Sequence, residues 1–239
     1  DSLRQLVFTD HLVRREQSDG QLRIIVHRLS TAEEHEIHFD GAAFHLDFLK
    51  GYEFTTTLRL AYTSLITPKI TYDYDLELSV LALRKQDELP NDYNPEAYCS
   101  ERIFATGQDG EQVPISILRR RDMELDGNSP LLLYGYGSYG LSTPPSFSSY
   151  RFSLVNSGFV YAIAHVRGGM ERGYRWYLEG KLSNKTNTFF DFIAAAEHLI
   201  DERYVRGGNI AAHGGSAGGM LMGAVANMRP DLFRAIVAE

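Results

Sequence analysis

One stretch near the C-terminal end, residues 209–228, limits the fold more than the rest of the chain does. Asn209-Ile-Ala-Ala-His213 reads as a short buried strand, and Met220-Leu-Met-Gly-Ala-Val-Ala-Asn-Met228 reads as a helix stopped by Pro230. Between them lies His213-Gly-Gly-Ser-Ala-Gly-Gly-Met220, which contains Gly214-x-Ser216-x-Gly218. A strand that turns into a helix within so few residues leaves its pivot at positive φ. It also crowds the flanking backbone against the neighbouring strand and helix. Gly214, Gly215, Gly218 and Gly219 meet that demand, and the pattern fits a nucleophile elbow with an exposed serine hydroxyl. The alternative is a glycine-rich connection in a doubly wound sheet, with Ser216 capping the helix.

The elbow strand needs parallel neighbours, and the preceding sequence offers them. Pro130-Leu-Leu-Leu-Tyr134 and Phe159-Val-Tyr-Ala-Ile-Ala-His-Val166 are continuous apolar runs, as in parallel strands buried on both faces. Residues 187–204 form an amphipathic pattern with Phe189, Ile193, Ala196 and Ile200 on one face, and Ala235-Ile-Val-Ala238 begins another strand. Alternating strands and helices predict a mostly parallel sheet with helices on both sides. Residues 100–106 and 113–118, joined by Gln108-Asp-Gly110, predict a hairpin, followed by the solvated basic run Arg119-Arg-Arg121.

Residues 1–90 read differently. Short strands are predicted at 3–8 and 22–27, flanking a turn at Ser18-Asp-Gly20, and at 36–39, 43–48, 55–62 and 69–74. Residues 76–83 fit either a strand or a helical turn. Such spacing points to a sandwich or to propeller blades. Arg84-Lys-Gln-Asp-Glu-Leu-Pro-Asn-Asp-Tyr-Asn-Pro95 is polar, aperiodic and holds two prolines, as a domain linker does.

Composition excludes some functions. A chain of 239 residues suits one large domain or two smaller ones, and a formal net charge of −7 argues against nucleic acid as the main partner. Its apolar runs are too short to span a bilayer, so no membrane partner is expected. Cys99 is the only cysteine, so no internal disulfide can form, which fits a reducing, cytoplasmic compartment. His27, His35, His38 and His45 lack a tight ligand spacing on one element, and no metal or organic cofactor is expected.

A serine hydroxyl becomes a nucleophile when a histidine, oriented by a carboxylate, takes its proton. Elbow-type hydrolases carry these in the order serine, acid, histidine. No histidine follows Ser216, His165 and His198 precede it, and His213 reads as strand packing. Asp231 and Glu239 lie too close in sequence to be assigned as the acid. The expectation is an internal fragment, with acid and base beyond residue 239 and no activity in this polypeptide alone. One oxyanion donor should be the backbone N–H of Ala217. The second candidate is a tyrosine hydroxyl from Gly135-Tyr-Gly-Ser-Tyr-Gly140, unless those rings only pack under the sheet edge.

The segments Leu133-Tyr-Gly-Tyr-Gly-Ser-Tyr-Gly140, Gly158-Phe-Val-Tyr-Ala-Ile-Ala-His-Val-Arg-Gly-Gly169, Trp176-Tyr-Leu-Glu-Gly-Lys181 and Gly214-Gly-Ser-Ala-Gly-Gly-Met-Leu-Met-Gly223 resemble the prolyl oligopeptidase family. The likeness is closest to its oligopeptidase B branch, dense over residues 100–239 and thin before. Prolyl-specific members usually carry Asn where Ala217 stands and Gly-Gly-Phe where Gly137-Ser-Tyr139 stands. The resemblance implies a β-propeller followed by an α/β-hydrolase fold. Residues 1–89 would be the last propeller strands and exit linker, and residues 90–239 the first part of the catalytic domain. It also implies a serine oligopeptidase acting on short peptides after Arg or Lys, with Tyr136 as oxyanion donor and Tyr139 as a substrate-pocket aromatic. Prolyl specificity, an esterase and a non-catalytic interaction module are the alternatives. Relatives of the oligopeptidase B type often carry acidic residues shortly after the tyrosine loop. Thr143-Pro-Pro-Ser146 has none, so dibasic preference is not implied.

Overall fold

In the computed structural model, which describes residues 2–18, 20–49, 56–89 and 93–239, the chain divides into two units. One comprises Asp1–Tyr93 with Pro144–Phe147, the other Asn94–Thr143 with Ser148–Glu239.

The first unit holds two four-stranded antiparallel meanders. β1 (Ser2–Val7), β2 (His11–Ser18), β3 (Gln21–Arg28) and β4 (Glu34–Glu36) form one sheet, in chain order. β5 (Phe44–Phe48), β6 (Thr57–Ser64), β7 (Ile70–Asp75) and β8 (Val80–Gln86) form the other, again in chain order. Val13, Ile24, Val26, Leu46, Leu58 and Leu60 make a shared apolar layer. Four-stranded up-and-down sheets of this kind are the units of a propeller.

Sequence periodicity misplaced several strands here. The strand entering the first turn is β2 and not residues 3–8; Asp19 and Thr55 lie outside the described residues. β2 escapes a pattern search because its inward positions include His11 and Gln17, while Arg14, Arg15 and Glu16 dominate its composition. Those charges are paired, Arg14 with Glu16 and Glu34 at 2.8 Å each, and Arg15 with Asp47 at 2.6 Å. β4 lies ahead of the expected 36–39. In the ambiguous stretch 76–83 the Asp75 carboxylate accepts the backbone N–H groups of Glu77 and Leu78, both at 2.9 Å, so a turn precedes β8. The start of the expected linker is therefore strand: Arg84 lies within β8 and pairs with Asp73 at 2.7 Å.

The second unit is built on a six-stranded mixed sheet. Its strands are β9 (Tyr98–Thr106), β10 (Gln112–Arg120), β11 (Leu131–Tyr134), β12 (Val160–Ala164), β13 (Ile210–Gly214) and β14 (Phe233–Ala238), in the order β14-β13-β11-β12-β10-β9. β14, β13, β11 and β12 run parallel, and the β9–β10 hairpin adds an antiparallel edge. The helices are α1 (Ser149–Asn156), α2 (Tyr174–Leu178), α3 (Thr186–Asp201) and α4 (Ala217–Met228). All of β12 is buried, and α3 lays Phe192, Ile193, Ala196 and Leu199 into the same core. α1 gave no sequence signal because only Phe152 and Val155 of it are buried. The basic run is not a solvated loop. Arg119 lies in β10 and pairs with Glu101 at 2.6 Å, and Arg121 donates to the carbonyls of Glu96 and Tyr98 at 2.7 and 3.0 Å. No helix among the described residues is long and apolar enough to cross a membrane.

One ion pair sits inside this core. Arg167, just past β12 and 3% exposed, donates from its backbone N–H to Asp191 of α3 at 2.8 Å, and Asp191 is fully buried. Its guanidinium adds bonds to both carboxylate oxygens at 2.6 and 2.9 Å, and one to Asp109 at 2.5 Å. A buried guanidinium that loses its partner is far costlier than no pair at all. Asp191→Ala is expected to destabilise the protein by about 3–5 kcal/mol, read from the urea midpoint, whereas the double change Arg167→Met/Asp191→Leu should recover most of that loss. A single-variant loss below about 1 kcal/mol would show the pair to be dispensable.

Candidate active site

Ser216 stands between β13 and α4 at φ 53° and ψ −117°, and it is exposed. The left-handed region is costly for a residue with a Cβ and persists where the surroundings over-determine it. Here they do. A Cβ on Gly214 would lie 2.6 Å from the carbonyl oxygen of Gly218 and 2.9 Å from that of Gly135, and one on Gly218 would lie 2.8 Å from Gly135 O. β11, β13 and the start of α4 therefore meet backbone to backbone. Gly219 is confined at 3.0 Å by Glu239 O, but Gly215 is not: a Cβ there would find nothing nearer than 3.7 Å. Of the four elbow glycines, Gly215 is thus the one without a steric reason.

The serine side chain makes no cap bond to α4, which removes the capping alternative. Its backbone N–H donates to Glu239 O at 2.6 Å. Ala217 is the first residue of α4, where backbone N–H groups have no intrahelical acceptor.

The glycine–tyrosine loop leaves β11 beside this turn. Gly135 N donates to His213 O at 3.1 Å, and a Cβ on Gly135 would lie 2.7 Å from the Phe192 ring. Tyr134 turns its ring edge-on to His213, with centroids 5.3 Å apart, and burial pushes its hydroxyl pKa up. The Tyr136 ring instead lies against Gly218, its Cδ2 3.6 Å from where a Cβ would stand. Tyr139 has φ 59° and is 74% exposed.

Tyr139, Ala217 and Met220 border a cavity of about 460 Å³ that Tyr177, Lys181, Leu182 and Lys185 also line. Leu182, 86% exposed at φ 51°, is a third strained residue here, beside Tyr139 and Ser216. Lys181 Nζ lies 4.4 Å from the Tyr177 ring centroid. Among the described residues no carboxylate lines the cavity. His213 is close to Glu239, Nε2 to Oε2 3.6 Å. His165 is instead sealed in the core, 2.7 Å from Ser116 Oγ, where desolvation lowers its pKa.

Residues 3–87 match the family model described as prolyl oligopeptidase, N-terminal beta-propeller domain, and residues 145–239 match that of the prolyl oligopeptidase family. The chain belongs to the prolyl oligopeptidase family. Among curated relatives it is 45% identical over 184 residues to dipeptidyl aminopeptidase BI of Pseudoxanthomonas mexicana, covering 77% of this chain and 25% of that one. It is 40% identical over 232 residues to protease 2 of Moraxella lacunata, covering 96% and 33%. Oligopeptidase B from Leishmania major superposes with a TM-score of 0.92 at 35% identity, covering 99% of this chain and 34% of the other. The chain thus spans about a quarter to a third of the length of these relatives. Its fold is that of the family, propeller-type sheets and then part of an α/β-hydrolase sheet, and the match extends to the first strands, where motifs are sparse.

Within this prolyl oligopeptidase-family chain the structure brings Ser216, Ala217, Tyr136 and Gly218 together and puts Tyr139 on the cavity wall. Sequence reasoning missed Tyr177, Leu182, Lys185 and Met220 as cavity residues. Met220 follows the elbow glycines directly, but the others sit in and after short α2, where no period marks a face.

Proposed function

We propose that this chain carries the nucleophile and oxyanion-binding part of a serine oligopeptidase that hydrolyses short peptides through an acyl-enzyme. The observation that carries the reading is Ser216, an exposed residue at strained positive φ, followed at once by the first N–H of α4 and, two residues on, by Gly218, against which the Tyr136 ring lies. Oγ would add to the peptide carbonyl carbon while its proton passes to a histidine base. The oxyanion so formed would accept hydrogen bonds from Ala217 N–H and the Tyr136 hydroxyl. Collapse would expel the amine with the histidine's proton, and water would then hydrolyse the ester by the same route.

In a family-length protein the acid and base would come from sequence after residue 239. Residues 1–89 would supply propeller strands and an exit linker, and residues 90–239 the first part of the catalytic domain. A cytoplasmic location accords with the lone Cys99 thiol.

Cleavage after Arg or Lys is supported by the likeness to oligopeptidase B. The cavity would offer Tyr139 and Tyr177 to the stem of a basic side chain, and the carboxylate needed by its charge would come from elsewhere in the protein. The lysines of that cavity, with no carboxylate among the described residues that line it, favour a second reading, prolyl specificity on the same machinery.

Three measurements test these roles in the family-length protein. A fluorophosphonate probe should label Ser216, and Ser216→Ala should abolish both labelling and peptidase activity; an active variant would sink the elbow reading. Tyr136→Phe should lower kcat by about 10²-fold or more, the usual cost of one oxyanion donor. Tyr134→Phe should do far less, because its ring packs on His213; equal losses would make the loop's role packing alone. Finally, Ala-Arg and Arg-Arg before the scissile bond should differ in kcat/KM by less than about fivefold, as for a solvent-screened contact. A hundredfold preference for Arg-Arg that collapses in salt would reveal an acidic subsite, and a preference for proline would select the second reading.

A further inference from the structure

Lys185 is a cation in a place where a cation is poorly tolerated. It is the residue before α3, where the helix dipole is positive, and its side chain makes no cap bond to that helix. It is half-buried, and desolvation alone pushes its pKa down to about 8. Among the described residues no carboxylate pairs with it; its ammonium donates to Gly137 O and, at 2.9 Å, to Ser138 Oγ. These acceptors belong to the two residues that follow Tyr136.

The loop it holds has little freedom elsewhere. Gly137 has φ 67°, and a Cβ there would come within 2.6 Å of Val166 Cγ2 and 3.0 Å of Arg167 O. Gly140 N donates to Gly168 O at 2.9 Å. One turn along α3 from Lys185, Thr188 Oγ1 donates to Arg167 O at 2.7 Å. The start of α3 thus grips both loops: the Thr188 methyl packs on Gly137, and Lys185 is the side chain in this set that hydrogen-bonds the segment bearing Tyr136.

We propose that Lys185 is a positioning residue: by binding the Gly137 carbonyl and Ser138 hydroxyl, it fixes the backbone after Tyr136 and holds that tyrosine's hydroxyl where an oxyanion forms. This rests on the reading of Tyr136 as an oxyanion donor. A charge-assisted bond to a carbonyl suits the task, since it is short and roughly twice as strong as a neutral one. An unanchored donor loses its transition-state contribution while leaving ground-state binding almost untouched.

The test uses the family-length protein. Lys185→Met should lower kcat by about 10- to 100-fold with KM changed less than about twofold, and Lys185→Arg should restore part of the loss. In a Tyr136→Phe background the same Lys185→Met change should cost less than about threefold more, because both act on one hydrogen bond. Equal losses in the two backgrounds, or a Lys185→Met variant as active as the parent, would overturn the proposal. Should Lys185→Met fail to fold, the neutral donor Lys185→Gln replaces it in both backgrounds under the same criteria. Fluorophosphonate labelling separates the two readings. A parent protein that is not labelled fails as a serine peptidase, whereas a labelled parent with additive losses fails only the assignment of Lys185.

Discussion

Three stretches of backbone meet at the elbow with no side chain between them, and most of the second unit's geometry follows from that contact. Gly135 at the end of β11, Gly214 at the end of β13 and Gly218 in the first turn of α4 approach so closely that a single methyl group on Gly214 or Gly218 would overlap a carbonyl oxygen. The contact forces the chain to reverse at Ser216, whose positive φ is the geometric remainder. It also brings the tyrosine loop to the nucleophile, since that loop begins at Gly135. A site of this precision is held by packing that leaves its backbone no alternative.

How legible this was from sequence varied with how locally each feature is encoded. The elbow was readable because its demand is local: glycine at fixed offsets, flanked by a buried strand and a helix. β11, β12 and β13 were readable as apolar runs. β2 was not, because Arg14, Arg15 and Glu16 are balanced by Glu34 and Asp47, partners distant in sequence. The part of the cavity lined by Tyr177, Leu182 and Lys185 was invisible for the same reason, as only the fold brings these residues to one cavity with Tyr139. Gly215 shows the opposite error: the motif suggests a constraint that the packing does not impose.

The unit treats its buried charges in two ways. Arg167 is paired with Asp191 and Asp109 and joins β12 to α3 and to the β9–β10 turn. Among the described residues Lys185 has only neutral oxygen acceptors. The first arrangement makes a rigid joint. The second adds one desolvated ammonium to the packing that holds the tyrosine loop, and the two are anchored six residues apart, at Lys185 just before α3 and at Asp191 within it. α3 is therefore both a core element and the frame against which the tyrosine loop is aligned.

The bond from Ser216 N–H to Glu239 O links the pivot to the residue that follows β14. The amide of the exposed serine is thus shielded from solvent exchange only while β14 stays paired with β13. Separation of β14 from β13 and loss of aim at the serine become a single event. The free energy of local opening between these two strands, and not the global stability of the core, then sets how long the hydroxyl keeps its direction.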